Sequence, residues 1–188
     1  MSARPVGVLS LQGAFERHKS IIESLGRECR LIRTPEQLAG LGGLIIPGGE
    51  STVIGKLMKA GGLLSAIRDS AADGLSIFGT CAGLILLANE VTGTPVDGLH
   101  LLDVRVQRNG YGRQKESFNS KLIFRKNEIQ SVFIRAPRII ETGPNVEVIC
   151  RMDDEAVLVR QDRILAAAFH PELTDDPAVH RYYVEELC

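Results

Sequence analysis

A chain of 188 residues with 44% hydrophobic content is long enough to bury one substantial core, and a single domain spanning 1–188 is expected. Its 22 basic and 23 acidic side chains leave a net charge of −1, which gives no electrostatic footprint for nucleic acid, and no apolar run reaches the length of a membrane span. Four cysteines without a C-x-x-C pair, and no secretory signal, argue against a disulfide framework or a zinc site and for a cytoplasmic setting.

The first half alternates short aliphatic runs with helical patterns. Residues 6–11 read as a strand, 15–25 as a helix beginning near Ala14, 29–32 as a strand, 35–41 as a short helix capped by Thr34, and 44–46 as a strand. Helices follow over 52–60 and 63–72, and a strand from Leu75 to Phe78 leads into a second helical run over 84–89. That rhythm means βαβ units and a parallel sheet. The second half is richer in strands, over 104–107, 120–124, 132–134, 146–151, 156–160 and 164–169, before a final helix from Pro177. The expected fold is α/β: a flavodoxin-like three-layer sandwich with a mainly parallel central sheet, an antiparallel extension and helices on both faces.

Cys81 lies in Phe78-Gly79-Thr80-Cys81-Ala82-Gly83, between an apolar strand and a helix, with glycines two residues to either side. This is the nucleophile-elbow pattern with sulfur in place of the serine oxygen. The elbow should present the thiol, and the following helix points its N–H groups and positive dipole end back at it. Of the four histidines, His170 ends the apolar run 164–169 and is followed by Pro171 and Glu172. In an extended turn residues two apart point the same way, so Glu172 can hold one imidazole nitrogen while the other faces a thiol. Nucleophile, base and orienter then stand in the order Cys81, His170, Glu172. His18 and His180, on helices and beside no other candidate ligand, read as ordinary exposed residues; Cys29, Cys150 and Cys188 read as core or surface thiols.

The strand at 44–46 runs into Pro47-Gly48-Gly49-Glu50-Ser51-Thr52. A phosphate cradle is disfavoured, because the lysine and spacing of a P-loop are missing and Glu50 would repel an anion. Paired glycines instead suit a backbone N–H offered to a developing oxyanion, with freedom to turn toward or away from it. Glu50 at the helix start can accept from an ammonium group. Gly48, Cys81 and His170 each follow a strand, so all three are expected on the carboxyl edge of one sheet.

These residues resemble the class I (triad) glutamine amidotransferases, whose signature is Gly-x-Cys-x-Gly with His-Pro-Glu. More narrowly, the chain is similar to the glutaminase subunits of two-component pyridoxal 5′-phosphate synthases. The matching segments are Leu11-Gln12-Gly13-Ala14, Pro47 to Thr52, Gly79 to Leu84, Arg108-Asn109-Gly110-Tyr111-Gly112-Arg113-Gln114, Phe133-Ile134-Arg135-Ala136-Pro137 and Phe169 to Thr174. The departure is Gly110-Tyr111, where that family has a small residue followed by phenylalanine; an adjusted pocket wall is expected.

The resemblance implies hydrolysis of L-glutamine to glutamate and ammonia through a γ-glutamyl thioester, with no cofactor and no metal. It implies that Gly49, Glu50, Ser51, Arg108, Ile134 and Arg135 contact glutamine and that N–H groups near Gly49 and Ala82 form the oxyanion hole. It also implies a partner, a (β/α)8-barrel pyridoxal 5′-phosphate synthase subunit in a large hetero-oligomer, to which ammonia is delivered. Two alternatives are a glutaminase serving another synthase, such as that of imidazole glycerol phosphate, and a non-catalytic flavodoxin-like protein with a reactive cysteine. The paired arginine segments disfavour the first, and His-Pro-Glu disfavours the second.

Overall fold

A computed structural model describes residues 3–111 and 117–188; Gly112, Arg113 and Gln114 of the arginine-containing segment lie outside the described residues. The first strands and helices follow the βαβ rhythm: β1 (Val6–Leu9), α1 (Phe15–Ser24), β2 (Cys29–Ile32), β3 (Gly43–Ile46), α2 (Ser51–Ala60), α3 (Leu63–Ala72), β4 (Ser76–Thr80) and α4 (Ala82–Leu87). Between β2 and β3 the proline-led segment closes as one turn of 3-10 helix, Pro35–Leu38. It is shorter than the helix expected over 35–41, because the backbone at Ala39 is already extended and Gly40 takes a φ of 78°.

The remaining elements are β5 (Ala88–Thr92), β6 (Leu102–Gln107), β7 (Ser117–Phe124), β8 (Asn127–Ile134), β9 (Arg138–Thr142), β10 (Glu147–Met152), β11 (Glu155–Gln161), β12 (Ile164–Ala167) and α5 (Ala178–Glu186). A seven-stranded sheet runs in the order β10-β11-β12-β4-β3-β1-β2. Its strands from β12 to β2 are parallel, and β11 and β10 extend it antiparallel. The mainly parallel sheet with an antiparallel extension is therefore present. Right-handed crossovers on either side of β1 place α1 on one face and α2 and α3 on the other. α5 packs against α1, while α4 packs against α2, so both faces are covered. β1, β3 and β4 are buried along their whole lengths, as strands covered on both faces must be.

Two smaller sheets sit beside this frame. β5, β6 and β9 form one, and the β7–β8 hairpin forms the other. The hairpin turns through Arg125 and Lys126, both at positive φ (48° and 72°), the backbone of a two-residue turn that matches strand twist. Residues 88 and 89 belong to β5 and not to the preceding helix, as the sequence pattern suggested, because the backbone at Ala88 swings to a ψ of 141°.

Strand-to-helix proximity at the elbow is strict. A Cβ on Gly83 would collide with the carbonyl oxygen of Ile46, and one on Gly79 with the backbone of Gly83. Gly83→Ala is expected to destabilise the fold by ~1–3 kcal/mol, since overpacking against backbone cannot be relieved by a rotamer change; a urea titration checks it, and an unchanged midpoint would contradict the packing described.

Candidate active site

Cys81 stands between β4 and α4 at φ 49°, ψ −98°, a conformation that non-glycine residues adopt only under constraint. Two backbone bonds supply it: Cys81 N–H donates to Ala167 O at 2.8 Å, and Ile85 N–H donates to Cys81 O at 3.2 Å. The elbow is narrower than the motif suggested. Cys81 is only 7% exposed, because Ile134 and Arg135, at the end of β8, wall the same cavity, and its thiol donates to Ile134 O at 3.7 Å.

His170 follows β12 and caps a single turn of 3-10 helix, Pro171–Leu173. The turn is coiled and not extended, yet it still brings Glu172 back onto the ring, with Nδ1 and Oε1 2.7 Å apart. The hairpin holds this turn as well, through a 2.8 Å bond from His170 N–H to Val132 O. Burial opposes a charge on His170, but its interactions with Cys81 and Glu172 outweigh that and raise it to about 10. Burial likewise opposes ionisation of Glu172; His18, then His170, hold it well below the usual carboxylate range. An imidazolium close to a carboxylate and a sulfur is the resulting electrostatic picture.

Cys81 and His170 line one cavity of about 310 Å³ with Gly49, Glu50, Ser51, Ile85, Arg108, Asn109, Ile134 and Arg135. All six residues expected to contact glutamine thus meet at the nucleophile. They come from separate places: the β3–α2 loop, the end of β6 and the end of β8. Glu50 caps α2 by accepting from Thr52 N–H at 3.1 Å and pairs with Arg108 Nη2 at 3.1 Å; Arg108 Nη1 donates to Thr52 Oγ1 at 3.3 Å. A carboxylate and a guanidinium side by side on a cavity wall match the ammonium and carboxylate of an amino acid. Ala82, the first residue of α4, is buried behind Cys81, where first-turn N–H groups have no partner within the helix. Tyr111 does not line the cavity; its ring packs edge-on against Phe118 and Phe133 beneath the hairpin, so the Gly110-Tyr111 departure alters the hairpin's support and not the pocket wall.

The Gly48–Glu50 backbone is held from the segment before α1 and from the end of β4. Ala14 N–H donates to Gly48 O at 3.2 Å, Glu50 N–H donates to Gln12 Oε1 at 2.8 Å, and Gly48 N–H donates to Thr80 Oγ1 at 3.1 Å. A side chain on Gly48 would strike the His170 ring.

The sequence reading was wrong about two histidines. His18 and His180 are fully buried, with His18 Nδ1 2.9 Å from His180 Nε2 and His18 Nε2 3.5 Å from Glu172 Oε2. The signal was available: His18 shares the buried face of α1 with Ile22, and His180 the buried face of α5 with Tyr183 and Val184. The other cysteines stand apart from the cavity. Burial pushes the thiols of half-buried Cys29 and buried Cys150 up to about 11, which suits unreactive thiols. Among the described residues no group of three or more His, Cys, Asp or Glu side chains is placed to hold a metal ion, and no helix is long and apolar enough to cross a membrane.

Comparison with known proteins places the chain in a family. Residues 8–188 match the SNO glutamine amidotransferase family. The pyridoxal 5′-phosphate synthase subunit PdxT of Carboxydothermus hydrogenoformans is 46% identical over 186 residues, covering 97% of each chain. That of Corynebacterium jeikeium is 50% identical over 184 residues, covering 95% of this chain and 94% of its own. A crystal structure described as a glutamine amidotransferase superposes with a TM-score of 0.93 at 49% identity, covering 96% of this chain and 97% of that one. With its elbow cysteine, its His-Pro-Glu turn and a match over nearly its whole length, this chain belongs to the SNO glutamine amidotransferase family.

Proposed function

We propose that this chain is the glutaminase subunit of a pyridoxal 5′-phosphate synthase, hydrolysing L-glutamine to L-glutamate and ammonia and passing the ammonia to the synthase subunit. The observation that carries the reading is the meeting of Cys81 with the 2.7 Å His170–Glu172 pair in one amino-acid-sized cavity. At about 310 Å³, that cavity sits at the small end of ligand sites, roughly 300–1,000 Å³.

In the proposed reaction the sulfur of Cys81 attacks the side-chain carboxamide carbon of glutamine, and the carbonyl oxygen becomes an oxyanion. N–H groups of Gly49 and Ala82 stabilise it. His170 protonates the nitrogen as the carbon–nitrogen bond breaks, and ammonia departs. A water that gives its proton to His170 then attacks the γ-glutamyl thioester, releasing glutamate and restoring the thiol. Glu172 keeps the Nδ1 proton of His170 in place, so Nε2 does the transfers. Glu50 takes the substrate ammonium and Arg108 and Arg135 its carboxylate, while Ser51 and Ile134 complete the wall.

The receiver is a (β/α)8-barrel synthase subunit in a large hetero-oligomer, and the setting is the cytoplasm. Free ammonia is wasteful, so hydrolysis is expected to accelerate when the barrel docks and the Gly48-Gly49 peptide settles as a donor. The test is glutamate release by the purified chain, alone and with the barrel subunit. No glutamate release in either sample overturns the proposal.

Arg108 gives a narrower check. Because Arg108 binds the unreacting end of the substrate, Arg108→Ala should raise the KM for glutamine by roughly tenfold or more while kcat changes less. Steady-state kinetics decide it, and a fall in kcat at unchanged KM would place Arg108 elsewhere in the mechanism.

A further inference from the structure

Behind the triad lies a pair of imidazoles that the reaction above does not use. His18 on α1 and His180 on α5 are completely buried. They stand on the opposite side of Glu172 from the cavity: neither lines it, and His18 Nε2 faces the carboxylate oxygen that His170 does not engage, 3.5 Å from Oε2 against 2.7 Å from His170 Nδ1 to Oε1. The same Nε2 is 3.3 Å from Thr80 Oγ1, which receives the Gly48 N–H.

The direction of these hydrogen bonds follows from one orphan atom. His180 Nδ1 is buried with no hydrogen-bond partner. A buried N–H left unpaired costs more than a buried lone pair, so the His180 proton belongs on Nε2, where it donates to His18 Nδ1. His18 then carries its own proton on Nε2, aimed at Glu172 and Thr80. Burial, and after it His18, pull His180 down to about 3, in keeping with a neutral ring that donates through Nε2 only.

We infer that His18 and His180 are positioning residues that extend the triad: His180 sets the tautomer of His18, and His18 fixes both the second oxygen of Glu172 and the threonine that holds the Gly48 loop. This rests on the glutaminase reading above. Donors then run one way, from His180 to His18 to Thr80, with the same His18 N–H held 3.5 Å from Glu172 Oε2 as an electrostatic contact, and His170 donates to the other oxygen of that carboxylate. Through Thr80 the base and the proposed oxyanion loop share a single anchor, so His18 sets the distance between the group that moves protons and the peptide that receives negative charge.

The test uses the chain assembled with its barrel synthase subunit. His18→Leu, similar in volume but without donors, should lower kcat roughly tenfold through loss of one buried carboxylate partner, with KM for glutamine nearly unchanged. His18→Gln, whose amide can donate at about the same point, should recover most of that loss. His180→Leu should lower kcat as well, and the double variant should be no slower than His18→Leu alone, because His180 acts only through His18.

A purely structural role predicts the reverse: losses that multiply and no rescue by glutamine. Wild-type kcat in His18→Leu, an effect confined to KM, no recovery in His18→Gln, or multiplying losses would each overturn the inference. Should His18→Leu not fold, His18→Asn, too short to reach Glu172, replaces it under the same criteria. Absence of glutamate release by the wild-type complex would instead count against the glutaminase reading, so the two failures are distinguishable.

Discussion

Cys81→Ser is expected to lower glutamine hydrolysis by on the order of a thousandfold or more while the protein stays folded. The substitution changes one atom in a residue whose position is fixed by its backbone, through the bonds to Ala167 O and from Ile85 N–H, so the strained elbow does not depend on sulfur. The hydroxyl is a far weaker nucleophile than the thiol. A second readout is the titration of His170 by NMR. Its pKa of about 10 is set by burial pulling down against Cys81 and Glu172 pushing up; without the sulfur the value should move downward. The sign carries over to stability. A histidine raised when folded contributes fully below its unfolded pKa of about 6.5 and loses that contribution as pH rises through the folded value. Wild type should therefore lose more stability than Cys81→Ser between neutral pH and pH 10. Serine-variant turnover above a few per cent of wild type, or an unmoved His170, would contradict the assignment of Cys81. Electrophilic glutamine analogues should label Cys81 and spare Cys29 and Cys150, whose burial raises their thiols to about 11.

What was legible in the sequence was whatever depends on near neighbours. Gly79 and Gly83 frame Cys81 because strand and helix touch there, and Pro171 lies between His170 and Glu172; both signals are a few residues long. The alternation from β1 to β4 was equally readable, since β1 and β3 are continuous runs without a charged or polar side chain and β4 carries Ile77 and Phe78 at its centre. Interactions between distant elements left weaker traces. β5 and β9 exist through pairing with β6, and their sequences, Ala88–Thr92 and Arg138–Thr142, are too short to show a period. In β9 the adjacent Ile139 and Ile140 point to opposite faces, one buried and one exposed. His18 and His180 are 162 residues apart, and judged singly each looked like a polar residue on a helix. Only the helical spacing to Ile22 and Tyr183 marks them as buried, and only the packing of α1 on α5 makes them a pair.

Glu172→Gln is the second large effect, a fall in kcat expected to reach on the order of a thousandfold with little change in KM. The carboxylate is buried between two imidazoles: Oε1 accepts from His170, and Oε2 lies 3.5 Å from His18 Nε2. An amide has one oxygen and one NH2, so it cannot present an oxygen to both. If its oxygen faces His170 Nδ1, its NH2 meets the Nε2 proton of His18, two donors pressed together in a buried site. If it turns over, the NH2 donates to His170 Nδ1 and moves the ring proton to Nε2, the atom that must take the proton from sulfur or water. Either arrangement fails, the first by displacing the turn and the second by fixing the wrong tautomer. Losing the negative charge also removes support for the imidazolium, so the His170 pKa should fall below about 10. Steady-state kinetics of the assembled complex separate the possibilities, because Glu172 does not line the cavity and has no route to affect glutamine binding except through His170. A variant that mainly weakens glutamine binding at near-normal kcat would mean that the carboxylate contacts substrate and that the roles given to Glu172 and Arg108 must be exchanged.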